Sequence, residues 1–505
     1  MKRRGTGVTV VLAGLLLGAQ ACPAVEIVPM LGIGTTWSDN PPLQPDAASR
    51  PGWINELVPG VRAQGHGSLL DFFVDAHWHV LRYTSASYRN STQGDVDARA
   101  TLSSPNRIAF LDGNVQVSQQ SLSPFGPTST PDRPNGSGNR VETRLAQAAP
   151  YVRGYLGDAA SYQAKVIASA LRTDADGVPP VNSVEVDLRV RNPSPSTRLG
   201  WILEGRAWDV RPQGEPSARD ERLRASFLAE VAYHVRVSAI VGHDTTDFLS
   251  LTGERESGTS RGVGLDWNPG PRTQLAAVWE RRFYGDFHDV QFQWRSPKTA
   301  WRVASLRDLT VLPNVLANGA SSATLQLMTD LLTSAIPDRL QREAAARGQL
   351  EQAAIGGAAP LSSGYITSRP LEYQEDEIAA ALLGIRDTVT FRADRRRQRV
   401  RGPALFPTPV SLGEENLRQV RYSVQWAHRL TPLTTFTLEA ARLDNKSLDI
   451  SQLTSLERQA TASVRSTLGP HAILSLGLRR LLFTGSTTFG SFSENAIFGM
   501  ITIQL

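Results

Sequence analysis

The 505-residue sequence predicts an all-β fold, a transmembrane antiparallel up-and-down β-barrel of about 16–22 strands with a small helical insert in one outer loop. Three observations carry this expectation. Apolar and polar residues alternate with a period of two through most of the chain, its connections alternate between tight and long, and half of its ten tryptophans gather near the tight ones. At 41% hydrophobic and 20% charged residues, the composition is too apolar for a disordered chain.

The first element is a leader. Lys2, Arg3 and Arg4 precede an apolar run from Val8 to Leu17, and the small residues Ala19, Ala21 and Ala24 follow. This is the pattern of a secretory signal peptide over 1–24, with cleavage after Ala21 or Ala24, and it leaves 25–505 as one exported barrel. Cys22 is the single cysteine, so neither an intrachain disulfide framework nor a cysteine metal site can form. Removing the three leader cations lowers the net charge from +5 to +2, which makes the sequence pI of about 9.5 no argument for a nucleic-acid partner. Only Lys2, Lys165, Lys298 and Lys446 are lysines. The remaining bases are arginines, suited to fixed pairs with carboxylates or phosphates, although codon bias produces the same composition.

Beyond the leader no run of 18 apolar residues occurs, so a membrane can be crossed only by strands. In Asp71–Arg82, Phe72, Val74, Ala76, Trp78 and Val80 share one face, and Asp75, His77 and His79 the other. In Val181–Asn192, Val184, Val186, Leu188 and Val190 oppose Glu185, Asp187, Arg189 and Arg191. One such strand fits a soluble sandwich as well as a barrel. The connections separate the two readings. Cutting at turn signals yields about 22 segments of roughly 9 to 13 residues, close to what a tilted strand needs to cross a bilayer. Tight turns fall at 64–68, 103–107, 192–197, 268–272, 296–299, 430–434 and 468–471, and long loops at 38–52, 120–140, 211–221, 244–261, 311–372, 395–416 and 484–494. Strict alternation of tight and long is the rule for barrels with short periplasmic turns, and Greek-key sandwiches do not sort their loops so. Trp201, Trp267, Trp294, Trp301 and Trp426 lie beside tight turns, where an interfacial girdle forms. The polar faces, including Asp75, His77, His79, Glu185, Asp187, Arg189 and Arg191, are therefore expected to line a watery lumen.

In the longest loop, 311–372, the period changes. Leu325, Met328, Leu331 and Leu332 fit a helical face, Pro337 interrupts, and Leu340 to Ala354 is rich in Ala, Gln, Glu and Arg. Two short helices are expected, either capping the mouth, folding in as a plug, or decorating the surface. Chemistry is sparse. His77 and His79 offer two imidazoles to a metal, but no third ligand is evident, and ordinary solvated lumen residues explain them better. G-x-S-x-G, H-E-x-x-H and glycine-rich phosphate loops do not occur, so neither catalysis nor a cofactor is expected. The run Asp394–Arg401 is expected to open an outer loop, where Arg395, Arg396, Arg397, Arg399 and Arg401 form either a glycan- or lipopolysaccharide-binding cluster or a solvated rim. At the C-terminus Ile501, Ile503 and Leu505 occupy one face of a final strand. They are the candidate signal for the barrel assembly machinery, with Ile503 and Leu505 where aromatics are usual.

Five stretches resemble a known family, the outer-membrane barrels associated with PEP-CTERM/exosortase and exopolysaccharide systems. They are SYRNST (87–92), VSQQSLSPFGP (117–127), GVGLDWNPGPRTQLAAVWERRFYG (262–285), FQWRSPKTAWRVASLRD (292–308) and LLGIRDTVTF (382–391). The resemblance implies a Gram-negative outer-membrane barrel that accompanies exopolysaccharide production, and it brings no catalytic residues. Two functions follow as expectations. One is a pore or conduit for a carbohydrate polymer. The other is a surface scaffold that binds polysaccharide or lipopolysaccharide through its outer loops. Outer-membrane lipid, lipopolysaccharide, the assembly machinery and exopolysaccharide are the expected partners, and no nucleic acid. A lipid or glycan hydrolase is a third, weaker reading.

Overall fold

The computed structural model describes residues 24–505 except 85–89, 129–134, 136–137, 176–177, 193–197, 250–253, 311–326, 331, 333–341, 343–345, 347–368, 406–415, 450–452 and 487–489. The leader therefore lies outside the described residues.

Alternating sequence becomes strand throughout, and 22 strands close into one antiparallel barrel. The first arc holds β1 (Ala24–Ser38), β2 (Gly52–His66), β3 (Leu70–Tyr83), β4 (Ser91–Ser103), β5 (Ala109–Ser121) and β6 (Arg140–Leu156). Next come β7 (Ala160–Thr173), β8 (Val181–Arg191), β9 (Leu199–Pro212), β10 (Ala218–Ala232), β11 (Val235–Thr246) and β12 (Glu256–Gly270). They continue through β13 (Thr273–Arg282), β14 (Gly285–Arg295), β15 (Thr299–Thr310), β16 (Leu371–Leu383) and β17 (Asp387–Val400). The last five are β18 (Asn416–Thr431), β19 (Thr434–Ser447), β20 (Thr454–Gly469), β21 (Ala472–Gly485) and β22 (Phe492–Gln504). Each pairs with its sequence neighbours, and β22 returns to β1 with Ile501 opposite Ile33 and Ile503 opposite Leu31.

Side chains decide which face is inside. Arg222 on β10 reaches Asp308 on β15, and Arg224 on β10 reaches Glu280 on β13. Strands three and five places apart meet side by side only through the interior, so this polar face is the lumen. The opposite face carries the exposed large apolar residues: Val186 at 44%, Leu203 at 46%, Phe227 at 61% and Leu478 at 56% of full exposure. A soluble protein does not leave a continuous apolar band of this size in water. Set in a bilayer, the band is solvated by acyl chains. Trp267, Trp294, Trp301 and Trp426 are exposed on this face near the short turns, and Trp294 pairs directly with Trp301.

The loops depart from strict alternation at one place. β13 and β14 are joined at the long-loop end by Phe283 and Tyr284 alone, and the 213–217 connection is also shorter than expected. Strands extend past the membrane there, where both faces are polar and the two-residue period no longer shows in hydropathy. For the same reason the basic run starting at Asp394 does not open a loop: Arg395, Arg396, Arg397 and Arg399 belong to β17, and only Arg401 lies beyond it.

Val186 sits at mid-strand on the lipid side. Val186→Arg is expected to cost about 2–4 kcal/mol, read as a lowered denaturant midpoint for the barrel folded in lipid vesicles.

Candidate functional site

The functional site is the lumen, which three kinds of contact fill. The first is a charged lining. On the β8–β10 wall, Arg206 pairs with Glu185 at 2.6 Å and Arg189 with Glu204 at 3.3 Å. Asp187, Arg189, Glu204, Arg206, Arg222, Arg224 and Asp308 line a cavity of about 350 Å³. Arg222 and Arg282 share Asp308, at 3.5 and 2.8 Å. On the β16–β18 wall Arg392 meets Glu377 at 2.5 Å, Arg396 meets Glu375 at 2.8 Å, and Arg421 meets Asp394 at 2.6 Å with both side chains 1% exposed. Planar guanidinium groups suit this arrangement because one arginine can satisfy two acceptors in fixed directions.

The second is a loop that crosses the interior. Residues 122–128, between β5 and β6, run to β18–β20, seven to nine places from β5 around the ring. The backbone N–H and the hydroxyl of Thr128 both donate to Glu457 on β20 at 2.9 Å. Asn445 on β19 donates to the Pro124 carbonyl at 2.6 Å. Phe125 is completely buried against Leu417 of β18. From the same connection, Asn135 donates to Glu494 on β22 at 2.7 Å and accepts from Arg479 on β21 at 2.7 Å. Glu494 also accepts from Arg479 and from Ser38. Three strands and a loop thus meet on one buried carboxylate.

The third is apolar packing inside a polar bore. Near the outer mouth Trp208, Val210, Phe248, Phe287 and Leu309 form a core together with Leu122 and Leu405 from the loops. Here the outer loops touch. A Cβ on Gly402 would lie 1.8 Å from the Phe248 carbonyl oxygen, so only glycine lets the β17–β18 loop approach the β11–β12 loop this closely. Towards the short-turn end, Leu327, Met328 and Leu332 of the 311–370 connection pack on Ala300, Ala379 and Ala381 of the β15–β16 wall. Residues 327–330 are helical, and small wall residues make room for them. Of the expected helices the described residues include this one turn and isolated helical positions at Arg342 and Ala346. What is described of this connection lies inside the barrel.

The residues singled out in the sequence are distributed as follows. Asp75, His77 and His79 stand on the face opposite exposed Trp78, yet the histidines do not converge on a shared ligand position. His77 contacts Asp75 at 2.6 Å, Asp75 also accepts from Arg62 at 2.8 Å, and His79 pairs with Glu56 at 2.6 Å. Among the described residues no group of three or more His, Cys, Asp or Glu is placed to hold a metal ion. Asp187 and Arg189 line the cavity, Glu185 pairs with Arg206 of that lining, and Arg191 is exposed at the end of β8. The arginine run is divided by the pleat: Arg396 is buried with Glu375, while Arg395, Arg397 and Arg399 are exposed on the outer wall. Arg401 reaches Glu372 beyond the strand. Ile501, Ile503 and Leu505 face outward at the short-turn end. Phe125, Thr128 and Asn135, which reach the far wall, have no distinguishing mark in a proline- and serine-rich stretch.

The fold defines a class, the large antiparallel β-barrel of the Gram-negative outer membrane. No family model and no curated protein match the chain. Its fold is similar to that of the FrpB iron transporter from Neisseria meningitidis. For the F5-1 variant the TM-score is 0.52 at 9% identity, over 96% of this chain and 83% of that one. The apoprotein form of that variant gives 0.53 at 8% identity, over 96% and 82%. The F3-3 variant gives 0.50 at 9%, over 98% and 83%. These identities speak for shared architecture alone. The resemblance to PEP-CTERM-associated barrels is overturned, since the solved structures that share the fold are described as an iron transporter.

The Arg421–Asp394 pair offers a direct test of the lining. Asp394→Asn removes the carboxylate charge paired with buried Arg421 and is expected to lower stability by about 3–5 kcal/mol, measured by unfolding in detergent.

Proposed function

We propose that this chain is a gated outer-membrane barrel that passes a compact hydrophilic solute and is closed at rest. The observation that carries this reading is the crossing of the interior by residues 122–128, whose polar groups are satisfied by inward-facing side chains of β19 and β20. A carbohydrate polymer conduit needs an unbroken bore, and the crossing loop speaks against one, as does the helical turn packed on β15 and β16. The closed form is held by hydrogen bonds and small apolar contacts. A net worth of about 0.5–1.5 kcal/mol for each such hydrogen bond puts an opening within reach of modest driving energy.

Below the mouth, four arginines and three carboxylates alternate around the cavity. Such a lining presents donors and acceptors to one molecule, which suits a zwitterionic or polyhydroxylated solute better than a simple anion. The fold shared with a structure described as an iron transporter supports a passage role and does not name the solute. We further propose that outward-facing Ile501, Ile503 and Leu505 serve the assembly machinery. A surface scaffold acting through loop arginines loses its main support, since four of the five belong to a strand.

Planar-bilayer recording tests the gate. The intact barrel is expected to pass little current, deletion of 123–138 or of 321–354 to raise it, and both deletions together to raise it most. An intact barrel that already conducts at the double-deletion level overturns the proposal, as does a double deletion that folds but stays closed.

A further inference from the structure

The outer wall carries an uneven charge distribution that transport does not explain. At the long-loop end of β17–β20, Arg397, Arg399, Arg418, Lys446 and Arg458 all point outward and are exposed. None of the five has an acidic partner among the described residues. Arg397 stands directly opposite Arg418, Arg418 opposite Lys446, and Arg442 opposite Arg458. Directly opposed like charges are about 5 Å apart at Cβ and destabilise a sheet. Elsewhere at this end Arg144 has Glu142 and Asp174, and Arg211 and Arg219 share Asp209, while the opposed pairs Arg144–Arg172 and Arg261–Arg281 each stand alone on their strands. Within the patch Arg395 is paired with Asp376, and Arg442 contacts Asp444 at 3.4 Å. Only on β17–β20 do such opposed pairs follow one another across consecutive strands among the described residues.

Directly below, toward the membrane centre, the same strands are apolar: Phe391, Tyr422, Val424, Leu438 and Val464 are exposed on the outer face. Cations above an acyl-solvated band make up an amphipathic surface. From this juxtaposition we infer that the β17–β20 wall is a docking site for the phosphorylated glycolipid of the outer leaflet. Its phosphates sit among Arg397, Arg399, Arg418, Lys446 and Arg458, and its acyl chains lie along the apolar residues beneath. Phosphate oxygens accept from guanidinium groups in pairs, and a dianion among three like-charged rungs removes the repulsion that the bare wall carries. Free phosphate satisfies the cations but not the apolar band, so the glycolipid is the occupant.

The test is glycolipid retention. Barrel extracted from outer membranes in mild detergent is purified and its bound lipopolysaccharide measured by intact-complex mass spectrometry. The wild type is expected to keep at least one molecule per barrel. The combined variant Arg397→Ser, Arg418→Ser, Lys446→Ser and Arg458→Ser is expected to keep at least about tenfold less, with its heat-modifiable gel shift intact as proof of folding. Changing the three arginines to lysine instead keeps the charge, restores part of the retention, and separates a charge effect from loss of the strand. Dephosphorylated glycolipid added back to stripped wild type should fail to bind, and millimolar inorganic phosphate should not displace the intact glycolipid. Equal retention by the serine variant, rebinding of the dephosphorylated form, displacement by phosphate alone, or a wild type that retains none would each overturn the inference. Because the readout is binding on the outer wall, it is independent of whether the lumen conducts.

Discussion

A peptide group in hydrocarbon has no water to bond, and each one left unpaired costs several kcal/mol, so a sheet in a membrane must have no edge. Everything else in this molecule depends on the return of β22 to β1, where Met30–Ser38 pairs with Ala496–Gln504 and the last open ladder is closed. Closure turns one sheet into two environments. Outward side chains meet acyl chains, inward ones meet an enclosed volume, and the pleat forces every strand to supply both.

An enclosed polar volume of this width would be an open hole if its walls were bare. The chain fills it in two ways with different physics. Arginine–carboxylate pairs line the walls, and because their neighbours on adjacent strands are fixed by the ladder, the guanidinium groups lose little freedom on pairing. Loops then enter from the outer end. The 122–128 crossing binds through satisfied polar groups, the outer mouth through a small apolar core around Trp208 and Phe248, and the 327–332 turn through contact with alanines. A loop can remain buried inside a barrel only if its backbone groups find partners, and Glu457 and Asn445 are spaced to provide them while Glu494 takes the Asn135 side chain. Those same partners are what an opening would have to release.

The stretch Arg392–Arg399 shows how one run of sequence serves two faces. Arg392, Asp394 and Arg396 turn inward and are buried in the lumen network, while Arg395, Arg397 and Arg399 turn outward above the apolar band. Read as a loop, the run is one basic cluster. As a strand it becomes an internal lining and part of an external cationic surface, and the two can be altered independently.

The sequence by itself determined the strand period, the tight turns, the lipid-facing residues and the tryptophan positions, because these follow from neighbours two residues apart and from local turn chemistry. Strand ends beyond the membrane escape it: once both faces are polar, alternation leaves no hydropathy signal, which is why the last residues of β17 read as a loop and the 213–217 connection as a longer one. Only the tertiary structure decided the ring of 22, the partners of each arginine, and the closing of the bore by 122–128. Those depend on side chains hundreds of residues apart, such as Thr128 and Glu457, meeting across a space that exists only after the ring has closed.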